Sequence, residues 1–149
     1  MRWTLAAIGR LKAGPERDLV ARYQDRVVKG ARAHGIARFD IREFDESRAA
    51  RAEDRKAEEA TQLLAALGSD AVIVALDETG QTPSSQQFAD RLAGYRDQGR
   101  AEIGFLIGGP DGHGDAVRAR ADFRLAFGAL TWPHQLVRVM ITEQLYRVT

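Results

Sequence analysis

The sequence contains no cysteine. That excludes a disulfide framework and any thiolate metal site, and it is compatible with a reducing cytoplasm. Proline is scarce, at 4 of 149 residues. No stretch is rich enough in Pro, Gly or Ser to act as a linker, and no internal repeat is present. Residues 1–149 therefore read as one domain, of a size that buries a core without staples. No run reaches the roughly 18–20 apolar residues of a membrane span. The apolar stretch after Met1–Thr4 is ended by Gly9 and Arg10, too early for a secretory signal. The chain also lacks a G-x-G-x-x-G dinucleotide fingerprint and a P-loop.

What is present is an ordinary globular composition, 44% hydrophobic and 29% charged, with a net charge of +1. The charge is unevenly spread. Residues 1–56 carry 14 Arg and Lys against 9 acidic residues, and residues 57–149 carry 8 Arg against 12. The basic half suits either a phosphate-facing surface or a solvated face of amphipathic helices.

The periodicity alternates. Trp3–Ile8, Ala37–Phe44, Ala71–Leu76, Glu102–Ile107 and Phe123–Phe127 read as strands. Pro15–Val28 reads as a helix with proline in its first turn. A charged helix capped by Asp45 or Ser47 runs to about Leu67, with Arg51, Arg55, Glu58 and Glu59 spaced for ion pairs along it. Ser84 caps a third helix to about Gln98. A short helix follows over 115–121, and Pro133 opens a last one. Strands alternating with helices predict an α/β fold with a parallel sheet covered on both faces. The last helix is apolar on more than one face, at Leu136, Val137, Val139, Met140, Ile141, Leu145 and Tyr146. Such a helix is buried or shared with a second subunit.

Ligands of open parallel sheets bind beyond the carboxyl ends of the strands. Three segments lie at such ends: Leu76–Gly80, Ile107–Gly114 and Phe127–Pro133. Gly108-Gly109-Pro110 is either a plain tight turn or a place where backbone approaches a ligand without Cβ atoms between. Asp77 and Glu78 are either acid–base carboxylates or a solvated turn. His113, between Asp111 and Asp115, reads better as an exposed loop histidine than as a metal ligand. Thr131, or the free start of the last helix, can bond a polar ligand group. A hydrolase using Asp77, Glu78 and His113 is one rival reading, and a purely structural dimer another.

Four groups of residues carry a resemblance. Leu106-Ile-Gly-Gly-Pro-Asp-Gly112, Ala129-Leu-Thr-Trp-Pro-His134, Leu136-Val-Arg138 and Glu143-Gln-Leu-Tyr-Arg147 resemble the ribosomal RNA large subunit methyltransferase H family in order and spacing. The opening strand with Gly9-Arg10-Leu11-Lys12 and the Leu76-Asp77 turn fit as well. The resemblance implies a SPOUT-type α/β knot: a Rossmann-like parallel sheet whose C-terminal segment forms a trefoil knot. It implies S-adenosylmethionine as cofactor, no metal, and a cytoplasmic homodimer with the pocket at the subunit interface. The implied reaction is methylation of N3 of a pseudouridine in 23S ribosomal RNA, on the assembled ribosome. By position it implies cofactor contacts at Leu76, Gly108, Phe127, Gly128, Ala129, Leu130, Thr131 and Trp132. Arg138 and Arg147 become candidates for RNA phosphates. Members of the family continue beyond the Tyr-Arg pair into a His-Pro-Tyr-His-like tail that helps form the active site. This sequence ends at Thr149, so no catalytic base is assigned in it. The alternative implied by that ending is a non-catalytic nucleotide- or RNA-binding α/β module.

Overall fold

The computed structural model describes residues 1–149. Five strands form one parallel sheet in the order β2-β1-β4-β3-β5, from β1 (Arg2–Ile8), β2 (Arg38–Phe44), β3 (Val72–Gln81), β4 (Glu102–Ile107) and β5 (Phe123–Leu125). The helices are α1 (Pro15–Ala31), α2 (Ala52–Ala65), α3 (Ser85–Asp97), α4 (Asp115–Arg120) and α5 (His134–Val148). In the three central strands Trp3–Ile8, Val72–Leu76 and Glu102–Ile107 are buried without alternation because both faces are covered. Successive side chains point to opposite faces. Trp3, Leu5 and Ala7 of β1 therefore join Val27 of α1, Phe88 and Leu92 of α3, and Ile141 and Leu145 of α5 in one core. Ala6 and Ile8 join Ala60 and Leu63 of α2 and Val117 of α4 in the other. Trp3 anchors the larger core edge-on to Phe39 and Phe105, at 6.3 and 6.0 Å between ring centroids.

Most predicted elements are present within a few residues, and Ser84 caps α3 in a full capping box with Gln87. Three differ for physical reasons. Strand β3 continues through Asp77–Gln81, which the sequence marks as a turn-rich loop. Its far end is kept extended by β5: after a register shift Gln81 pairs with Leu125, and the Ala126 amide donates to the Gln81 carbonyl at 2.8 Å. Gly80 permits this, since a Cβ there would lie 2.6 Å from the Arg124 carbonyl oxygen. β5 in turn stops at Leu125 and leaves Phe127 to the loop. Finally, α2 starts only at Ala52, and neither Asp45 nor Ser47 caps it. The Ser47 hydroxyl donates to Glu58 and its amide to Glu59. These bonds hold residues 45–51 as a loop folded over the helix rather than as its first turns. Arg55, Glu58 and Glu59 accordingly reach out of the helix, while Lys56 pairs along it with Glu53 at 3.1 Å.

One polar group inside the sheet is fully supplied. Glu102, at the start of β4, accepts hydrogen bonds from Arg2 Nε (3.0 Å), Thr4 Oγ1 (2.9 Å) and the Gly68 amide (2.8 Å). Burial opposes its ionisation. The bonds from Arg2, Gly68 and Thr4 and the charge of Arg2 outweigh that and hold the carboxyl below its ordinary value of 4.5. A depressed folded-state pKa adds stability that is fully present above the unfolded value and is lost as pH falls through the folded one. Glu102→Gln is therefore expected to cost about 1–3 kcal/mol at neutral pH. The gap to wild type should close as urea unfolding is repeated below pH 4.5. A gap that does not vary with pH would mean that the ionised carboxylate is not what contributes.

Candidate functional site

β4 and β5 end level with Leu76 of β3, which pairs with both Ile107 and Leu125. The far end of β3 and the loops that follow β4 and β5 enclose a cleft of about 260 Å3. The first wall comes from Leu76 to Thr79, the second from Gly108 to His113, and the third from Leu125 to Trp132, with His134 and Val137 of α5 behind. The convergence expected from strand order is thus present. Of the residues assigned by resemblance, Leu76, Gly108, Phe127, Gly128, Leu130, Thr131 and Trp132 line the cleft. Ala129 does not belong to the lining.

The third wall and α5 supply most of the apolar lining, from Leu125, Phe127, Leu130, Trp132 and Val137, and the first two walls supply Asp77, Glu78, Asp111 and His113. The third wall is braced across the opening. Trp132 Nε1 donates to the Phe127 carbonyl at 3.2 Å, and Thr131 Oγ1 donates to Glu78 at 2.9 Å. Gly128, at φ 111°, makes the bend that few other residues adopt. Gly108 serves its own loop as much as any ligand, since a Cβ there would lie 3.1 Å from the Gly112 carbonyl carbon.

The ionisable groups settle into opposite states. Asp77 is not a solvated turn residue. Its side chain is 5% exposed, and Oδ1 accepts from the Thr79 amide and hydroxyl at 3.0 and 2.8 Å. Burial raises its pKa, but those bonds and the charges of Arg118 and Arg124 lower it further, so the carboxyl sits below its ordinary range and is ionised. His113 is not an exposed loop residue either: it is 6% exposed. Its Nε2 lies 3.1 Å from the Leu106 carbonyl, which places the proton on Nε2. Burial lowers its pKa against the raising effect of that carbonyl and of Asp77, so the ring is neutral at pH 7. Asp111 turns away to Arg55 and does not join His113 and Asp115. The flanking glycines made His113 look like part of an open loop; the packing of the loop under β3 and β4 is a tertiary effect with no local signature.

Arg138 corrects another expectation. It is 3% exposed and holds Glu43 and the Gly9 carbonyl, the latter at 3.0 Å. Burial lowers its pKa, with Glu43 opposing. It is thus no phosphate ligand but the tie between α5 and the ends of β1 and β2. Arg147 is exposed and pairs with Glu143 one helical turn back. Removing one partner of a buried pair costs about 3–5 kcal/mol. Arg138→Met should fall at the low end in urea unfolding, because Glu43 is 29% exposed and can rehydrate. Adding Glu43→Gln should recover part of the loss; a double variant as unstable as the sum of the two singles would show that the pair is not coupled.

Comparison with known proteins agrees with this arrangement. A family model described as "Predicted SPOUT methyltransferase" matches residues 1–149. The chain is 54% identical to the ribosomal RNA large subunit methyltransferase H of Xanthobacter autotrophicus over 99% of its length and 92% of that protein's. It is 52% identical to the protein of the same name from Rhizobium etli, with the same coverage. Both relatives carry a methyltransferase name, which leaves the non-catalytic module and the hydrolase without support. A crystal structure of the SpoU methyltransferase AviRb from Streptomyces viridochromogenes in complex with AdoMet aligns at a TM-score of 0.42 and 11% identity, over 99% of this chain and 59% of that one, a likeness too low to bear weight. By its full-length family match and its identity to these relatives, the chain belongs to the SPOUT methyltransferase family.

Proposed function

We propose that the chain methylates large-subunit ribosomal RNA, using S-adenosylmethionine bound in the cleft between the three loops. The observation that carries the reading is the cleft itself: residues from all three loops that the sequence motifs selected line one site. The lining suits the cofactor. Leu125, Phe127, Leu130 and Trp132 offer apolar walls for adenine, and the glycine-rich loop offers backbone polar groups. Asp77 is paired with Arg118 and Arg124, so the polar lining carries both signs of charge, which suits a zwitterionic methionine moiety. When bound, S-adenosylmethionine would supply an electrophilic methyl group, passing to N3 of a pseudouridine as the imide proton leaves. The residues of this chain hold and align the reactants.

The active unit in this reading is a cytoplasmic homodimer. Leu130 is 75% exposed, and Trp132, Leu136 and Tyr146 are each 39% exposed. Only the α5 face carrying Arg138, Ile141, Thr142 and Leu145 is buried within the chain. The opposite apolar face and the open side of the cleft adjoin, so a second copy covers both. No helix is long and apolar enough to cross a membrane. The α/β knot belongs to the same reading. What supports it is the path of the C-terminal segment, which leaves edge strand β5 and returns across the sheet, so that Arg138 bonds Gly9 just past β1 and Glu43 within β2.

Calorimetric titration of S-adenosylmethionine into the purified chain should give saturable binding. Trp132→Ala should weaken it about tenfold, the equivalent of about 1.4 kcal/mol. No binding to wild type, or undiminished binding to the variant, would overturn the assignment of this cleft. Light scattering should report a dimer, and Leu136→Glu should shift it to monomer, since a carboxylate cannot be buried unpaired at an apolar interface. A variant that stays dimeric would move the interface off α5.

A further inference from the structure

The second wall of the cleft, Gly108–Gly114, has few side chains with which to keep a shape. A turn bond from the Gly112 amide to the Gly109 carbonyl spans it at 2.9 Å, and Gly112 sits at φ 84°. His113, buried with Nε2 3.1 Å from the Leu106 carbonyl, supports its far end, and α2, packed directly behind, supports the rest. A Cβ on Gly109 would lie 2.8 Å from Glu59 Oε1, and a Cβ on Gly114 would lie 3.1 Å from the Lys56 carbonyl oxygen. Glu59 is buried and accepts from the Ser47 amide at 2.9 Å. Residues 55, 56 and 59 share one side of the helix by their spacing.

Arg55 completes that side. Its Nε and one terminal nitrogen donate to the two Asp111 oxygens at 2.8 and 3.1 Å. Its other terminal nitrogen donates to the Ala49 and Ala50 carbonyls, both at 3.1 Å. One planar guanidinium thus joins three pieces of chain: the helix it stands on, the loop between β2 and α2, and the wall of the cleft 56 residues further along. Both side chains are partly shielded, at 30% and 24% exposure. Exposed ion pairs contribute little to stability, but a two-point fork specifies geometry. A lysine ammonium cannot reproduce it.

We propose that Arg55 is a positioning residue: by clasping Asp111 it fixes the Gly108–Gly112 wall, together with the β2–α2 loop, in the shape that receives the ligand. Preorganising a flexible wall raises affinity because less order must be imposed on binding. The binding arm of the test rests on the reading that the cleft takes S-adenosylmethionine; the exchange arm does not.

Four variants decide it: Arg55→Met, Arg55→Lys, Asp111→Asn, and Arg55→Met combined with Asp111→Asn. In ligand-free protein, the Gly112 amide should exchange with deuterium faster in Arg55→Met than in wild type. In calorimetry, Arg55→Met should bind S-adenosylmethionine about tenfold more weakly, and Arg55→Lys should recover little of that. The double variant should bind no more weakly than Arg55→Met alone, since both changes open the same clasp. Tm should stay within about 4 °C of wild type. Unchanged Gly112 exchange, binding within about twofold of wild type, or additive effects of the two substitutions would each overturn the proposal. Additivity in particular would mean that Asp111 meets the ligand by itself. If wild type does not bind S-adenosylmethionine, the assignment of the cleft fails, and Gly112 exchange alone still decides whether Arg55 holds the wall.

Discussion

Everything at the site depends on one row of paired residues. Ala7, Ile107, Leu76 and Leu125 lie side by side across β1, β4, β3 and β5. Because the strands are parallel, the chain leaves all of them on the same side, and because these four residues are in register, the segments after them start at the same height, with β3 running on extended to Gln81. A slip of one residue in any strand would turn its apolar set to the wrong face as well as misplace a wall of the cleft. The two buried cores prevent such a slip. Trp3 locks β1 against Phe39 and Phe105, and Ile73 and Ala75 fix β3 on the opposite face. The site is therefore a consequence of core packing rather than an addition to it.

Helix α5 has to satisfy two demands at once. One face carries Ile141 and Leu145 into the larger core, and the same face carries Arg138, whose charge would be prohibitive there alone. Glu43 and the Gly9 carbonyl make it tolerable, and in doing so they fix where α5 crosses the sheet. A buried pair of this kind is weak evidence for stability, yet it discriminates strongly against other placements of the helix. With that face committed, Leu136 and Tyr146 on the remaining surface each stay 39% exposed, Tyr146 with its ring 5.9 Å from that of Tyr23.

Much of this was legible from residues alone. Unbroken apolar runs at Val72–Leu76 and Ile103–Ile107 identify strands covered on both faces, and the segments after them mark the rim of the sheet. The motif words select Leu76, Gly108 and Phe127–Trp132, and all of these but Ala129 line the cleft. What was not legible is tertiary in origin. The Asp77–Gln81 segment has turn chemistry, and only the partner strand β5 keeps it extended. Ser47 has the chemistry of a helix cap, and only Glu58 and Glu59 divert it. Arg138 and His113 carry no local sign of burial, because what buries them comes from segments distant in sequence.

The states of Asp77 and His113 bear on what chemistry the cleft performs. A general base works best when its pKa lies near the working pH. Asp77 is held below the ordinary carboxylate range by Thr79 and two arginines, so it is a weak base at neutral pH. His113 is neutral, with Nε2 committed to the Leu106 carbonyl and Nδ1 buried without a partner. Neither is placed to take a proton from a substrate. The ionised aspartate, paired with Arg118 and Arg124, and the neutral histidine instead hold fixed protonation states at neutral pH. Fixed states of this kind suit holding a ligand rather than exchanging protons with it. They fit a transfer in which the reactive group is already activated and the protein's main task is to hold two partners in line.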